Sequence, residues 1–124
     1  MISPVPAPPR PAESWAKGHG LLKAGSYAEA AGAFRAGLEA EKEGFTVQLF
    51  VACSEETVRR AVARASAEEL YIRAVRYQGK DCWSLGWGVY GSEAQARAAA
   101  GGVPAALLEG GVTPKVAPVA RLLR

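Results

Sequence analysis

Few residues in this chain are of types that do covalent chemistry, and their spacing does not suit it. The single histidine, His19, has no cysteine or carboxylate motif around it. It reads as a packing or surface residue, not a base or a metal ligand. No metal-ligand spacing, phosphate loop or nucleophile elbow occurs, so no cofactor and no catalysis are expected. Binding chemistry is left, and it concentrates in Cys82–Ser92, CWSLGWGVYGS, which holds two of the three Trp and one of the two Cys. Trp83, Leu85, Trp87 and Val89 recur at every second position, with Cys82, Ser84, Gly86 and Gly88 between them. That is the period of a strand whose successive side chains face opposite sides. One face is bulky and suits a core. The other is nearly bare, so a flat or extended ligand could lie on it. Glycine in a strand marks such a close approach, or else a bulge or turn.

The rest of the chain must position that strand. At 124 residues it can hold one ordinary domain, or a small domain with an appendage. Hydrophobic residues at 49% and charged residues at 22% are ordinary for a globular protein. The net charge of +3 comes from scattered basic residues, not a block, and does not call for nucleic acid. No apolar run approaches the roughly 18 residues of a membrane-spanning helix. The start lacks the basic and apolar regions of a secretory signal. It fits either a cytosolic protein or the mature part of an exported precursor.

Residues 1–12 hold five of the eight prolines and read as an extended linker. Residues 13–43 read as two helices. The first covers about Ser14–Lys23. Gly25 suits the left-handed position after it. Ser26 with Glu29 resembles a capping box for the second, which carries Tyr27, Ala30, Phe34 and Leu38 at helical spacing. Residues 44–124 then alternate strands and helices. Phe45–Ala52 is a strand, Ser54 starts a helix with Val58, Ala61, Val62 and Ala65 on one face, and 69–78 is a second strand. Gly79-Lys80-Asp81 makes the turn into Cys82–Ser92. Ser92 caps another helix, bent at Gly101-Gly102-Val103-Pro104 and resuming through Ala105–Glu109. A last edge strand lies near Lys115–Ala120.

The order βαββαβ predicts an α+β fold: a ferredoxin-like (RNP-like) four-stranded antiparallel sheet with helices on one face, plus the N-terminal helical hairpin. The other face of the sheet is expected to stay open. The first and third strands are neighbours in this topology, which brings Cys53 near Cys82. The pair permits one disulfide without demanding it.

Two stretches carry family resemblances. WAKGHGLLKAGSYAEAAGAFRAGLEAEK, through Gly18, Leu21, Gly25, Tyr27, Ala30, Phe34 and Leu38, resembles one tetratricopeptide repeat. One such unit has to pack on something else. FTVQLFVACSEETV and CWSLGWGVYGSEAQARAA together resemble the two halves of a SPOR domain, the peptidoglycan-binding module of bacterial envelope proteins, over about residues 44–122. Gln48 matches that family's pattern. Val51 replaces a frequent Ser, and Ser84 and Gly86 stand where an Arg or another polar residue is often found.

The SPOR resemblance implies non-catalytic binding of denuded glycan strands across the open sheet face. The residues expected to form the platform are Gln48, Phe50, Tyr71, Arg73, Ser84 and Gly86. Trp83 would be the sugar-stacking residue if the parity of the third strand is reversed. The competing assignment for each aromatic is burial in the core, and it is strongest for Trp87. The resemblance also favours a Cys53–Cys82 disulfide and an oxidising compartment, the periplasm or cell envelope, with the export signal outside this chain. Partners would be glycan strands and, through the hairpin, other envelope proteins. The rival reading is a protein-interaction module of a secretion, pilus or division assembly with glycan binding lost. RNA binding ranks below both, since neither RNP-type motif is present.

Overall fold

A computed structural model describes residues 12–64, 69–108 and 110–123. The linker read over 1–12 therefore lies, Ala12 apart, outside the described residues, as do Ala65 and Glu109. The elements are α1 (Ala12–Ala24), α2 (Tyr27–Ala40), β1 (Phe45–Ala52), α3 (Glu55–Arg64), β2 (Leu70–Tyr77), β3 (Lys80–Tyr90), α4 (Glu93–Ala100), a 3-10 turn at Ala105–Leu107, β4 (Lys115–Pro118) and α5 (Val119–Leu122). The four strands form one antiparallel sheet in the order β2-β3-β1-β4. The fold is thus α+β, a ferredoxin-like arrangement preceded by a helical hairpin, with β1 and β3 at the centre.

Local chemistry accounts for most of the boundaries. Ser54 accepts a bond from the Thr57 amide at the start of α3, and Ser92 accepts one from Gln95 at the start of α4. Gln95 reaches back to the Gly91 amide, closing that turn from both sides. Gly25, at φ +83°, ends α1, with the Ser26 amide bonding the Leu21 carbonyl. Ser26 makes no side-chain capping bond, so the capping box expected with Glu29 is not formed. The β2–β3 turn is Gln78-Gly79, both at positive φ, with Tyr77 paired to Lys80. It is a two-residue hairpin turn one position earlier than the sequence suggested. Past Pro104 only the short 3-10 turn forms, not a resumed helix. β4 stops at Pro118, and α5 follows where the sequence suggested more strand.

Two bulges re-aim β1 against β3. Gly88, at φ +69°, is skipped between the Thr46–Val89 and Val47–Trp87 pairs, and Leu49 is skipped between Gln48–Gly86 and Phe50–Leu85. The second bulge reverses the parity of β1. Gln48 faces the same way as Gly86, while Phe50 faces the same way as Leu85 and lines a hollow with Thr57, Ala61 and Leu107 on the α3 side. This corrects the expectation, drawn from unbroken alternation, that Gln48 and Phe50 share a face.

The hairpin packs on the sheet domain itself. α2 runs along β2, an edge of the sheet, and the Nε2–H of His19 donates to the Leu70 carbonyl at 3.1 Å. Phe34 meets Tyr71 at a ring-centroid distance of 6.0 Å, and Tyr27 meets Trp83 edge-on at 6.2 Å. Tyr71 and Trp83 belong to opposite faces of the sheet by register, so the hairpin grips the β2 edge from both sides. An exposed edge strand is a template for unwanted pairing, and this packing covers the first half of β2. One cluster of buried side chains accordingly runs from Leu22, Phe34 and Leu38 through Tyr71 to Leu85, Trp87 and Ala96. The helices therefore lie on more than one side of the sheet. α3 and α4 occupy the Phe50–Leu85 face, and the hairpin and α5 reach the other.

Candidate ligand-binding face

The face carrying Gln48, Tyr71, Arg73, Ser84 and Gly86 divides into a covered end and an uncovered one. The covered end is built around Tyr71. Its ring crosses Gly86, where a Cβ would stand 2.7 Å from the ring Cε2, so only glycine leaves room for the crossing. Its hydroxyl lies 2.7 Å from Thr46 Oγ1. Thr46 donates its one proton to the Gly88 carbonyl at 2.6 Å, so the Tyr71 hydroxyl donates to Thr46. Trp15 and Phe34 close over the ring at 5.5 and 6.0 Å. Tyr71 is 1% exposed, Thr46 0% and Ser84 6%. Gly86 thus serves as the floor beneath a buried tyrosine.

Burial pushes the Tyr71 phenol up to about 12, against smaller lowering by the Thr46 bond and Arg73. A phenol whose folded value exceeds its unfolded value of about 10 contributes stability that is whole below pH 10 and is lost as pH rises through 12. The shift corresponds to about 2–3 kcal/mol. Unfolding midpoints measured from pH 9 to 12 should fall over that window. Tyr71→Phe should flatten the fall; an equally steep fall in the variant would show that another group governs it.

The uncovered end lies beyond Arg73. β2 and β3 run past Ala52, the end of β1, as a projecting two-stranded ribbon. Tyr77 at 48% and Val51 at 42% are the large hydrophobics exposed among the described residues. Register places both on the face of Gln48 and Arg73, with half-buried Val75 between. Gln48 and Arg73 are themselves half-buried at the boundary. The Arg73 guanidinium is lowered from its usual range, first by burial, and donates to the Leu122 carbonyl of α5 at 3.3 Å.

The face therefore brings together Gln48, Arg73, Ser84 and Gly86, and seals Tyr71 beneath the hairpin. Phe50 and Trp83 stand on the opposite side, both half-buried, and Trp87 is in the core at 7% exposure. Sequence reasoning passed over Tyr77 and Val51. The signal for Tyr77 was available: it continues the odd-numbered alternation of Tyr71, Arg73 and Val75. Val51 could not be placed without the Leu49 bulge.

Cys53 and Cys82 are joined by a disulfide with a Cα separation of 4.2 Å, one residue past the Ala52–Trp83 pair. Cys82 is buried and Cys53 exposed, at the margin of the uncovered end. Among the described residues no group of His, Cys, Asp or Glu is placed to hold a metal, and no helix is long and apolar enough to cross a membrane. Comparison of the chain with family models, curated proteins and solved structures gave no match.

Proposed function

We propose that this chain is a non-catalytic module of the SPOR type that binds denuded peptidoglycan glycan strands and so anchors a larger assembly in the bacterial periplasm or cell envelope. The observation that carries the reading is the uncovered end of the sheet face. An exposed ring (Tyr77) stands there, and a half-buried guanidinium (Arg73) and amide (Gln48, level with Gly86) continue the same face at its boundary. Aromatic faces suit the apolar faces of sugar rings, and the polar pair suits their hydroxyls. The disulfide supports an oxidising compartment. On this reading the platform uses Gln48 and Arg73 with Tyr77, and Tyr71 supports the surface from below.

Retention of the purified chain by sacculi, with and without amidase treatment and beside an RNA control, tests it. Amidase treatment should increase retention, and RNA should not compete. Gln48→Ala and Tyr77→Ala should each weaken retention roughly fivefold, the worth of about one hydrogen bond or ring contact. Their unfolding midpoints should stay near that of the parent.

Burial of Tyr71, Ser84 and Gly86 favours a second reading, a protein-interaction module of an envelope assembly without glycan binding. Wild-type chain that ignores sacculi under both conditions would put this reading first.

A further inference from the structure

We propose that Arg73, with Arg35 of α2 beside it, forms a carboxylate-binding site at the boundary between the hairpin and the uncovered sheet face, and that its ligand is the lactyl carboxylate of a muramic acid residue. The inference rests on the glycan reading for the sugar and on the two arginines for the charge.

Arg73 Nη1 donates to the Leu122 carbonyl at 3.3 Å, and Arg35 Nη2 donates to the Leu123 carbonyl at 3.4 Å. Two guanidiniums from different elements, β2 and α2, therefore converge on the end of α5, close enough for Arg35 to disfavour the charge on Arg73. Arg35 also pairs with Glu39 along its own helix at 3.2 Å. Arg73 has no carboxylate partner among the described residues. A half-buried cation held near a second cation, whose bond among the described residues is to a neutral carbonyl, gains most from an arriving anion. Planar, forked guanidinium donors match a carboxylate best.

The position fits a sugar-borne carboxylate. Arg73 stands across β3 from Val51, with Gln48 the next residue of β1 on that face, at the boundary of the surface that ends in Tyr77. A strand stripped of its stem peptide by amidase carries a free lactyl carboxylate where the intact strand carries an amide. An arginine at this boundary would thus distinguish the two by charge, without any contact to peptide.

The test has two independent arms. In the first, N-acetylmuramic acid, N-acetylglucosamine and a short peptide with a free C-terminal carboxylate are titrated into the full chain. The readout is the arginine Nε–H NMR signals. Muramic acid should shift the Arg35 and Arg73 signals, and N-acetylglucosamine should not. The Arg35 shift should vanish in Arg73→Gln and persist, weakened, in Arg73→Lys. No shift, or an equal shift with N-acetylglucosamine, overturns the site; an equal shift with the peptide overturns the sugar assignment. In the second arm, amidase-treated sacculi are used before and after their carboxylates are converted to neutral amides. Retention of the wild type should fall roughly tenfold on neutralisation, as expected for losing a charge-assisted bond. Arg73→Gln should bind both preparations alike. Unchanged wild-type retention overturns the proposal. Wild type that shifts with muramic acid yet ignores every sacculus preparation would defeat the glycan-strand reading and leave the carboxylate site standing.

Discussion

Replacing Phe34 with alanine should lower the unfolding free energy by about 3–5 kcal/mol, a large share of the roughly 5–15 kcal/mol that holds a domain together. Phe34 is 0% exposed. Its ring meets His19 at 5.1 Å, Trp15 at 5.5 Å and Tyr71 at 6.0 Å, so it joins both hairpin helices to β2. The surroundings cannot collapse into the gap. Gly18 is already flush with the ring, where a Cβ would lie 2.5 Å from Phe34 Cε1, and of the buried α2 positions one turn away, Ala30, Ala31 and Gly37 are too small to fill the gap, leaving only Leu38. Urea unfolding followed by far-ultraviolet circular dichroism and by Trp fluorescence should show one coincident transition, displaced to lower urea in the variant. The shared core requires that single transition. Two separate transitions, with the sheet unmoved by the substitution, would contradict it.

Replacing both Cys53 and Cys82 with alanine should cost roughly 3.5 kcal/mol, the chain entropy returned to the unfolded state when a loop of this size is opened. The bond spans 29 positions, which include all of α3 and β2, and ties the end of β1 to β3. Alanine is the suitable replacement because Cys82 is 2% exposed, and a serine hydroxyl there would add the burial of a polar group. Reductant should bring the parent down to the stability of the double variant and leave the variant unmoved. A parent whose midpoint ignores complete reduction would show that the native sheet already supplies the constraint.

Much of this architecture was legible before any coordinate. Ser54 and Ser92 announce helix starts because a hydroxyl at that position satisfies an amide the helix leaves free. Trp87, Leu85 and Ile72 alternate as strands buried on one face must, and each is buried there. The proximity of Cys53 and Cys82 follows from β1 and β3 being neighbours. Ser26 misled, since the side chain has the right type and spacing but makes no bond. Phe50 was misplaced for a stronger reason. Strict alternation carries it to the Gln48 face, and one skipped residue, Leu49, returns it to the other. Nothing in the composition of VQLFV marks that bulge, because it answers to the partner strand.

The sequence by itself determined the order of elements, the four strands and the hairpin, because helix caps, turns and hydrophobic period are local properties written every few residues. Only the tertiary structure decided which part of the bare Ser84–Gly86 face is available. The hairpin is distant in sequence and amphipathic, and nothing local says which surface its apolar side will cover. Packed along β2, it drives Trp15 and Phe34 over Tyr71 and turns Gly86 from a candidate contact into the space that lets the tyrosine cross. Burial of those rings outweighs leaving the face open, and the uncovered surface retreats toward Val51 and Tyr77, with Arg73 at the boundary.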